Sequence, residues 1–154
     1  MRDDHGVRDS PVPPTLAYLA RIDVEVAPPV DVGAGDRDGR RRIVPILGGR
    51  VSGPVLTGRV LPGGADFQVL RANRLTELEA RYAIETDDGD RLYVENRGVH
   101  SVGGERVEPE HSYFRSSPRV SSSAARWAWL ETRILIARGI HMPGGVALEV
   151  FVVE

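Results

Sequence analysis

The chain has 154 residues, enough for a single domain with a real core. Twenty basic and twenty-two acidic residues leave a net charge of −2, which offers no electrostatic footprint for nucleic acid. Every basic residue is Arg, so lysine Schiff bases and P-loop lysines are excluded, and the lack of Cys excludes disulfides, thiolate nucleophiles and zinc–sulfur sites.

Residues 1–15 are charged and then proline-rich (Pro11, Pro13, Pro14) and read as a flexible arm ahead of one domain over 16–154. From Leu16, the apolar set Tyr18, Ala20, Ile22, Val24 and Val26 alternates with Leu19, Arg21, Asp23 and Glu25, the period of a half-buried strand that Pro28-Pro29 stops. Asp31 to Gly39 is rich in Gly and Asp and reads as a loop. A second strand follows over Arg40–Leu47, where Pro45 predicts an edge or a bulge. The stretch Gly48–Leu61 is broken by Gly53-Pro54, and strands are expected at Ala65–Leu70 and Leu78–Thr86. Asp87-Asp88-Gly89-Asp90 is a hairpin turn, from which Arg91–Arg97 returns. Gly98–Pro109 reads as turn-rich, Tyr113-Phe114-Arg115 as a short strand and Ser116–Ser123 as loop. Over Trp127–Arg138 the alternation of Thr132, Ile134 and Ile136 predicts a strand, preceded at most by a helical turn. Met142-Pro143-Gly144-Gly145 is a turn and Val146–Val153 a last strand. Eight to ten strands with short turns and little helix predict an all-β antiparallel barrel, lipocalin-like or allene-oxide-cyclase-like.

Asp66 and Gln68 are two residues apart on a strand and so share a face. If that face is the lumen, burial tunes the carboxyl for general acid–base work and the amide orients a carbonyl or hydroxyl. The alternative is that Asp66 caps the Gly63-Gly64 turn. Tyr82 and Asn96 fall on the apolar faces of their strands, as ligand-binding groups or as a core tyrosine and a strand-end residue. Arg115 is either an anchor for a carboxylate or phenolate or the partner of Asp66 or Glu131 in a buried pair. Trp129, with Trp127, provides an aromatic wall for a flat ligand or packs the barrel. His5, His100, His111 and His141 fall in the arm or in expected loops without metal-ligand spacing, so no metal site is expected, although Glu108, Glu110 and His111 lie close enough in sequence to collect an ion.

Several of these pieces, in order, resemble a widespread microbial family of small β-barrel proteins known as domain of unknown function 3237. They are Arg40-Arg41-Arg42-Ile43, Ile46-Leu47-Gly48-Gly49, Gly53-Pro54, Leu61-Pro62-Gly63-Gly64-Ala65-Asp66, Ala80-Arg81-Tyr82, Thr86-Asp87-Asp88-Gly89, Val94-Glu95-Asn96-Arg97-Gly98, Tyr113-Phe114-Arg115 with Pro118, and Trp129-Leu130. The resemblance spans about residues 16–154 and implies a closed or nearly closed barrel, often oligomeric, but no established reaction. Three departures fall near the expected pocket: Phe67 where the family has Trp, Glu131 where it has Asn, and Arg119-Val120-Ser121 in place of a Phe-Glu-Thr-like stretch.

The leading expectation is a cofactor-free enzyme acting by proton transfer on a small, partly apolar organic molecule in the lumen, as an isomerase, cyclase or lyase of secondary or aromatic metabolism. Asp66 and Glu131 are its expected catalytic carboxylates, and Gln68, Tyr82, Asn96, Arg115 and Trp129 its expected substrate-binding residues. A ligand carrier or sensor and a structural barrel with a packed lumen are the alternatives. The expected partners are a small molecule and further copies of the chain, not nucleic acid or membrane. No apolar run reaches the roughly 18 residues of a membrane helix and no signal-peptide stretch stands over Met1–Pro14, so a cytoplasmic location is expected.

Overall fold

The computed structural model describes residues 10–35, 39–103 and 112–154. Ten strands follow in chain order: β1 (Leu16–Val26), β2 (Val30–Gly35), β3 (Gly39–Ser52), β4 (Gly58–Val60), β5 (Ala65–Leu70), β6 (Leu75–Thr86), β7 (Arg91–Val102), β8 (Ser112–Ser121), β9 (Leu135–Met142) and β10 (Gly145–Val153). A 3-10 helix, Ala125–Thr132, lies between β8 and β9. All pairings are antiparallel. Because β1 pairs with both β10 and β3, the sheet closes into an eight-stave barrel. β4 and β5 together form one broken stave between β3 and β6. Closure needs β1 and β3 to approach closely at Gly49, where any Cβ would overlap the Asp23 carbonyl oxygen.

Several segments depart from expectation for identifiable reasons. Asp31–Gly35 is strand rather than loop, pairing with the start of β3 from Val30↔Ile43 to Gly35↔Gly39. This ribbon is mostly exposed on both faces, so no apolar alternation announces it; Asp31 instead fixes it locally, accepting from the Gly33 N–H at 2.8 Å and pairing with Arg40. β3 runs unbroken through Pro45 and Gly48-Gly49. Pro45 stands where β3 leaves β1, its carbonyl accepting from the Ala27 N–H at 2.9 Å; it pairs in regular register with Ala65, and the register shift opposite Glu25/Val26 falls instead at Leu47.

β7 continues through Gly98 to Val102, and β8 extends to Ser121 where loop was expected. In β8 the inward residues are Phe114, Ser116, Pro118 and Val120, and the Ser and Pro in the middle hide the alternation. Trp127–Thr132 is helical, not strand. Its Leu130 is 1% exposed, and Trp127 Nε1–H donates to Asp90 Oδ2 at 2.9 Å, tying the helix to the hairpin turn in which Gly89 takes φ +89°. β9 then turns Leu135 and Ala137 inward and leaves Ile134 two-thirds exposed.

The core is one continuous cluster inside the barrel, including Leu19, Ile84, Leu92, Val94, Leu130 and Leu135. Outside, Glu85 pairs with Arg59 and Arg91, and Glu79 with Arg81 and Arg97; such exposed pairs contribute little. No helix among the described residues is long and apolar enough to cross a membrane. The expectations for residues 1–9, including His5, and for Glu108, Glu110 and His111 lie outside the described residues.

Candidate functional site

Antiparallel register places the end of β1, β5, β7 and β9 and the start of β3, β6, β8 and β10 at one mouth of the barrel. The lumen is hollow there, with a cavity of ≈ 200 Å³. Its walls differ. β1 and β10 contribute Val24, Val26, Val146 and Leu148, whereas on β3, β5, β6 and β7 the polar Arg42, Gln68, Asp66, Tyr82 and Asn96 stand among Val44, Ile46, Leu78 and Ala80. Phe114 and His141 stand at the mouth. The Phe114 ring occupies the space that a Cβ at Gly139 would need.

Three of the polar side chains form a directed relay. Arg42 Nε–H donates to Gln68 Oε1 at 2.6 Å, which fixes the amide orientation. Gln68 Nε2–H therefore faces Asp66 Oδ2 and donates to it at 2.6 Å. Asp66 Oδ1 accepts from the Glu79 backbone N–H at 3.1 Å. The Asp66 carboxylate is thus held across to β6 and along β5, and its described partners do not include the Gly63-Gly64 turn amides that the capping reading requires. Burial pushes the Asp66 carboxyl above its ordinary value; the bonds from Gln68 and Glu79 and the charge of Arg42 only partly offset this.

Next to this relay, Tyr82 Oη and Asn96 Oδ1 are buried without a hydrogen-bond partner, and burial pushes the Tyr82 phenol up, so it stays protonated. Tyr82 lies opposite Val94 and Asn96 opposite Ala80, which makes the two side chains diagonal neighbours on the lumen face. Ser116 Oγ, one strand further on, is also buried and unpaired. His100 and His141, expected in loops, are strand residues of β7 and β9 and meet edge to face with ring centroids 4.5 Å apart. Burial, then the neighbouring His141 and Arg42, hold His100 below its ordinary value. The described residues include no cluster of three His, Cys, Asp or Glu suited to a metal ion.

Asp66, Gln68, Tyr82 and Asn96 therefore converge in the lumen, and the structure does not bring Arg115, Trp129 or Glu131 to it. Arg115 points outward, donating from Nη1 to the Phe114 carbonyl at 2.9 Å and stacking over Tyr113; it pairs with neither Asp66 nor Glu131. Trp129 and Glu131 sit on the 3-10 helix, with Trp129 over one third exposed and Glu131 lining an outer groove with Tyr93, Arg119 and Arg133. The three departures from the family pattern are likewise off the cavity: Phe67 is outward and nearly half exposed, Glu131 is external, and Val120 is a core residue between outward Arg119 and Ser121. Sequence reasoning missed Arg42 and His141 as lumen residues. The signal for Arg42 was its even spacing from Val44 and Ile46, obscured by the run Arg40-Arg41-Arg42.

The profile of a family described as protein of unknown function (DUF3237) matches residues 14–153. A UPF0311 protein of Clostridium acetobutylicum is 37% identical over 139 residues, covering 84% of this chain and 88% of its own. A solved structure from Acinetobacter baumannii, described as a beta-barrel like protein, is 29% identical and superimposes with a TM-score of 0.86, over 96% of this chain and all of the other. A structure described as an enzyme from Penicillium herquei is 20% identical with a TM-score of 0.74, over 96% of this chain and all of that one, a likeness of fold alone. With the profile matched almost end to end and a relative 37% identical over most of both chains, the chain belongs to the DUF3237 family.

Proposed function

We propose that the protein is a cofactor-free enzyme that moves a proton within a small, partly apolar organic molecule held in the barrel lumen, with Asp66 as acid and base. The observation that carries this reading is the Asp66 carboxylate itself: half-buried beside the cavity, each oxygen accepting one hydrogen bond, and its proton affinity raised by burial. Gln68 orients the carboxylate, and Tyr82 and Asn96 hold the substrate. In the ionised form, Asp66 takes a proton from carbon beside a carbonyl. The C–H electron pair becomes the new C=C bond, and the carbonyl π pair moves onto oxygen, where the Arg42 guanidinium is suited to receive it. Returning the proton at another carbon gives an isomer, attack of the enolate carbon on an internal carbonyl, whose oxygen then takes the proton from Asp66, a cyclised product, and loss of a β-substituent a lyase reaction. None of these consumes an oxidant or reductant. The enzyme described from Penicillium herquei shares the fold and adds support at that level only.

The test starts from native mass spectrometry of the purified protein to identify co-purifying molecules, which are then incubated with wild type and Asp66→Asn in D₂O. Deuterium incorporation or product formation that Asp66→Asn abolishes while still binding the compound is the expected result. Undiminished exchange or turnover in Asp66→Asn overturns the reading.

A further inference from the structure

We infer that the lumen takes a single-ring organic acid bearing a hydroxyl group, its acid on Arg42 and its hydroxyl between Tyr82 and Asn96. The inference names the substrate class of the site proposed above and rests on that placement.

Size sets the first limit. A dry cavity of about 150 Å³ accommodates benzene. The ≈ 200 Å³ here suits one ring with its substituents rather than a fused polycycle. The apolar wall of Val24, Val26, Val146 and Leu148 gives such a ring an oily face opposite the polar one.

Unmet hydrogen bonds set the second. Asn96 Oδ1 can only accept, and the Tyr82 hydroxyl is a neutral donor; neither has a partner. A ligand hydroxyl satisfies both, donating to Asn96 and accepting from Tyr82. A carbonyl would accept from Tyr82 but could not donate to Asn96 Oδ1, and a protonated amine would leave the Tyr82 hydrogen unpaired.

Charge sets the third. Among the described residues Arg42 uses only Nε, on Gln68, and its two terminal nitrogens remain for a ligand at the cavity wall. Their fork matches a carboxylate. Arg42 stands opposite Gln68, while Asp66 stands opposite Ala80, which in turn stands opposite Asn96. Tyr82 stands one row further on, opposite Val94, so the acid and hydroxyl anchors lie at different depths of the lumen with the Asp66 row between them. A ring with its acid and hydroxyl at opposite positions spans such a difference in depth and presents its middle to Asp66.

Three commercial probes test this by isothermal titration at one pH: 4-hydroxybenzoate, 4-hydroxybenzamide, which lacks the acid, and benzoate, which lacks the hydroxyl. On wild type, 4-hydroxybenzoate should bind tightest, with either deletion costing about tenfold or more. Arg42→Met should erase the preference for acid over amide, and Tyr82→Phe with Asn96→Leu the preference for the hydroxyl, each variant checked for a native melting transition. No binding of 4-hydroxybenzoate at millimolar concentration, equal affinity for all three probes on wild type, or unchanged discrimination in the variants overturns the inference. The wild-type comparison stands even if a variant fails to fold. Selective binding without Asp66-dependent turnover of any bound compound would sustain this inference and remove the catalytic reading. Asp66-dependent turnover of a compound lacking acid or hydroxyl would do the reverse.

Discussion

The two ends of this barrel are built on opposite terms. At the end capped by the 3-10 helix, Leu130 is sealed among Ile84, Leu92 and Leu135, all about 1% exposed, and buried Thr86 has its partner in the Asp90 N–H at 3.0 Å. At the other mouth the lumen is hollow, and Tyr82 Oη, Asn96 Oδ1 and His100 Nε2 are buried without partners. Leaving a buried polar atom unpaired costs about 1–3 kcal/mol, so the hollow end lowers the stability that the packed end provides. The packed end supplies the stability and the hollow end uses it.

The largest expected effect comes from emptying the packed end. Leu130→Ala should destabilise the protein by about 2–5 kcal/mol in urea unfolding, through lost transfer energy and the cavity left behind. Ligand affinity of the protein that remains folded should hardly change. A parallel loss of affinity would mean that the helix shapes the far mouth and that the division between the ends is false.

At the hollow end, Asp66→Asn should lower turnover by about 10²–10⁴-fold, the range of a general acid–base group. It should also change how stability responds to pH. Folded Asp66 holds its proton to higher pH than the unfolded carboxyl, so stability falls as pH rises from the ordinary 3.8 through the folded value. A base-catalysed rate climbs through the same window. Wild type should therefore show stability and activity moving in opposite directions there, and Asp66→Asn should flatten both. His100 acts with the other sign: its folded value lies below 6.5, so its contribution is lost as pH falls through that value, which His100→Gln should remove from the acid side of a melting-temperature profile.

A smaller and more specific effect belongs to the relay. Gln68→Leu removes one of the bonds that favour the ionised carboxylate, so the rise of rate with pH should move to higher pH with the folded state retained. An unmoved profile would mean that the relay is structural and that solvent, not Gln68, sets the Asp66 proton affinity.

The difference between the ends also explains what could be read from the sequence. Period-2 alternation located β1 and β10 because each buries one apolar face, and the same two-residue spacing put Asp66 with Gln68 on one face of β5 and Tyr82 with the lumen face of β6. It failed where the pattern is locally masked. Ser116 and Pro118 replace apolar residues on the inward face of β8, both faces of β2 are wet, and β-branched residues near Ile134 outweighed the burial of Leu130 that makes Ala125–Thr132 helical. Arg115 and Trp129 were attractive by chemistry alone, but their side of the strand or helix depends on pairing partners far away in the chain. Arg42 failed in the opposite way: a charge in an arginine run reads as solvated until β3 is registered against β5.

The smallest expected effects make the sharpest test of that geometry. Among the described residues Arg115 donates only to the neighbouring Phe114 carbonyl and stacks on exposed Tyr113, and Glu131 lines an outer groove. Arg115→Ala and Glu131→Gln should each change stability by no more than about 0.5 kcal/mol, the usual range for such surface positions. Both should leave 4-hydroxybenzoate affinity and turnover at wild-type levels, where Arg42→Met does not. If Arg115→Ala weakened an acid probe as strongly as Arg42→Met does, the anion site would lie on the outside of β8 and the hollow mouth would lose its anchor. If Glu131→Gln moved the pH–rate profile, a carboxylate outside the barrel would be taking part in the chemistry, and polarity confined to the lumen would no longer be what separates the two ends.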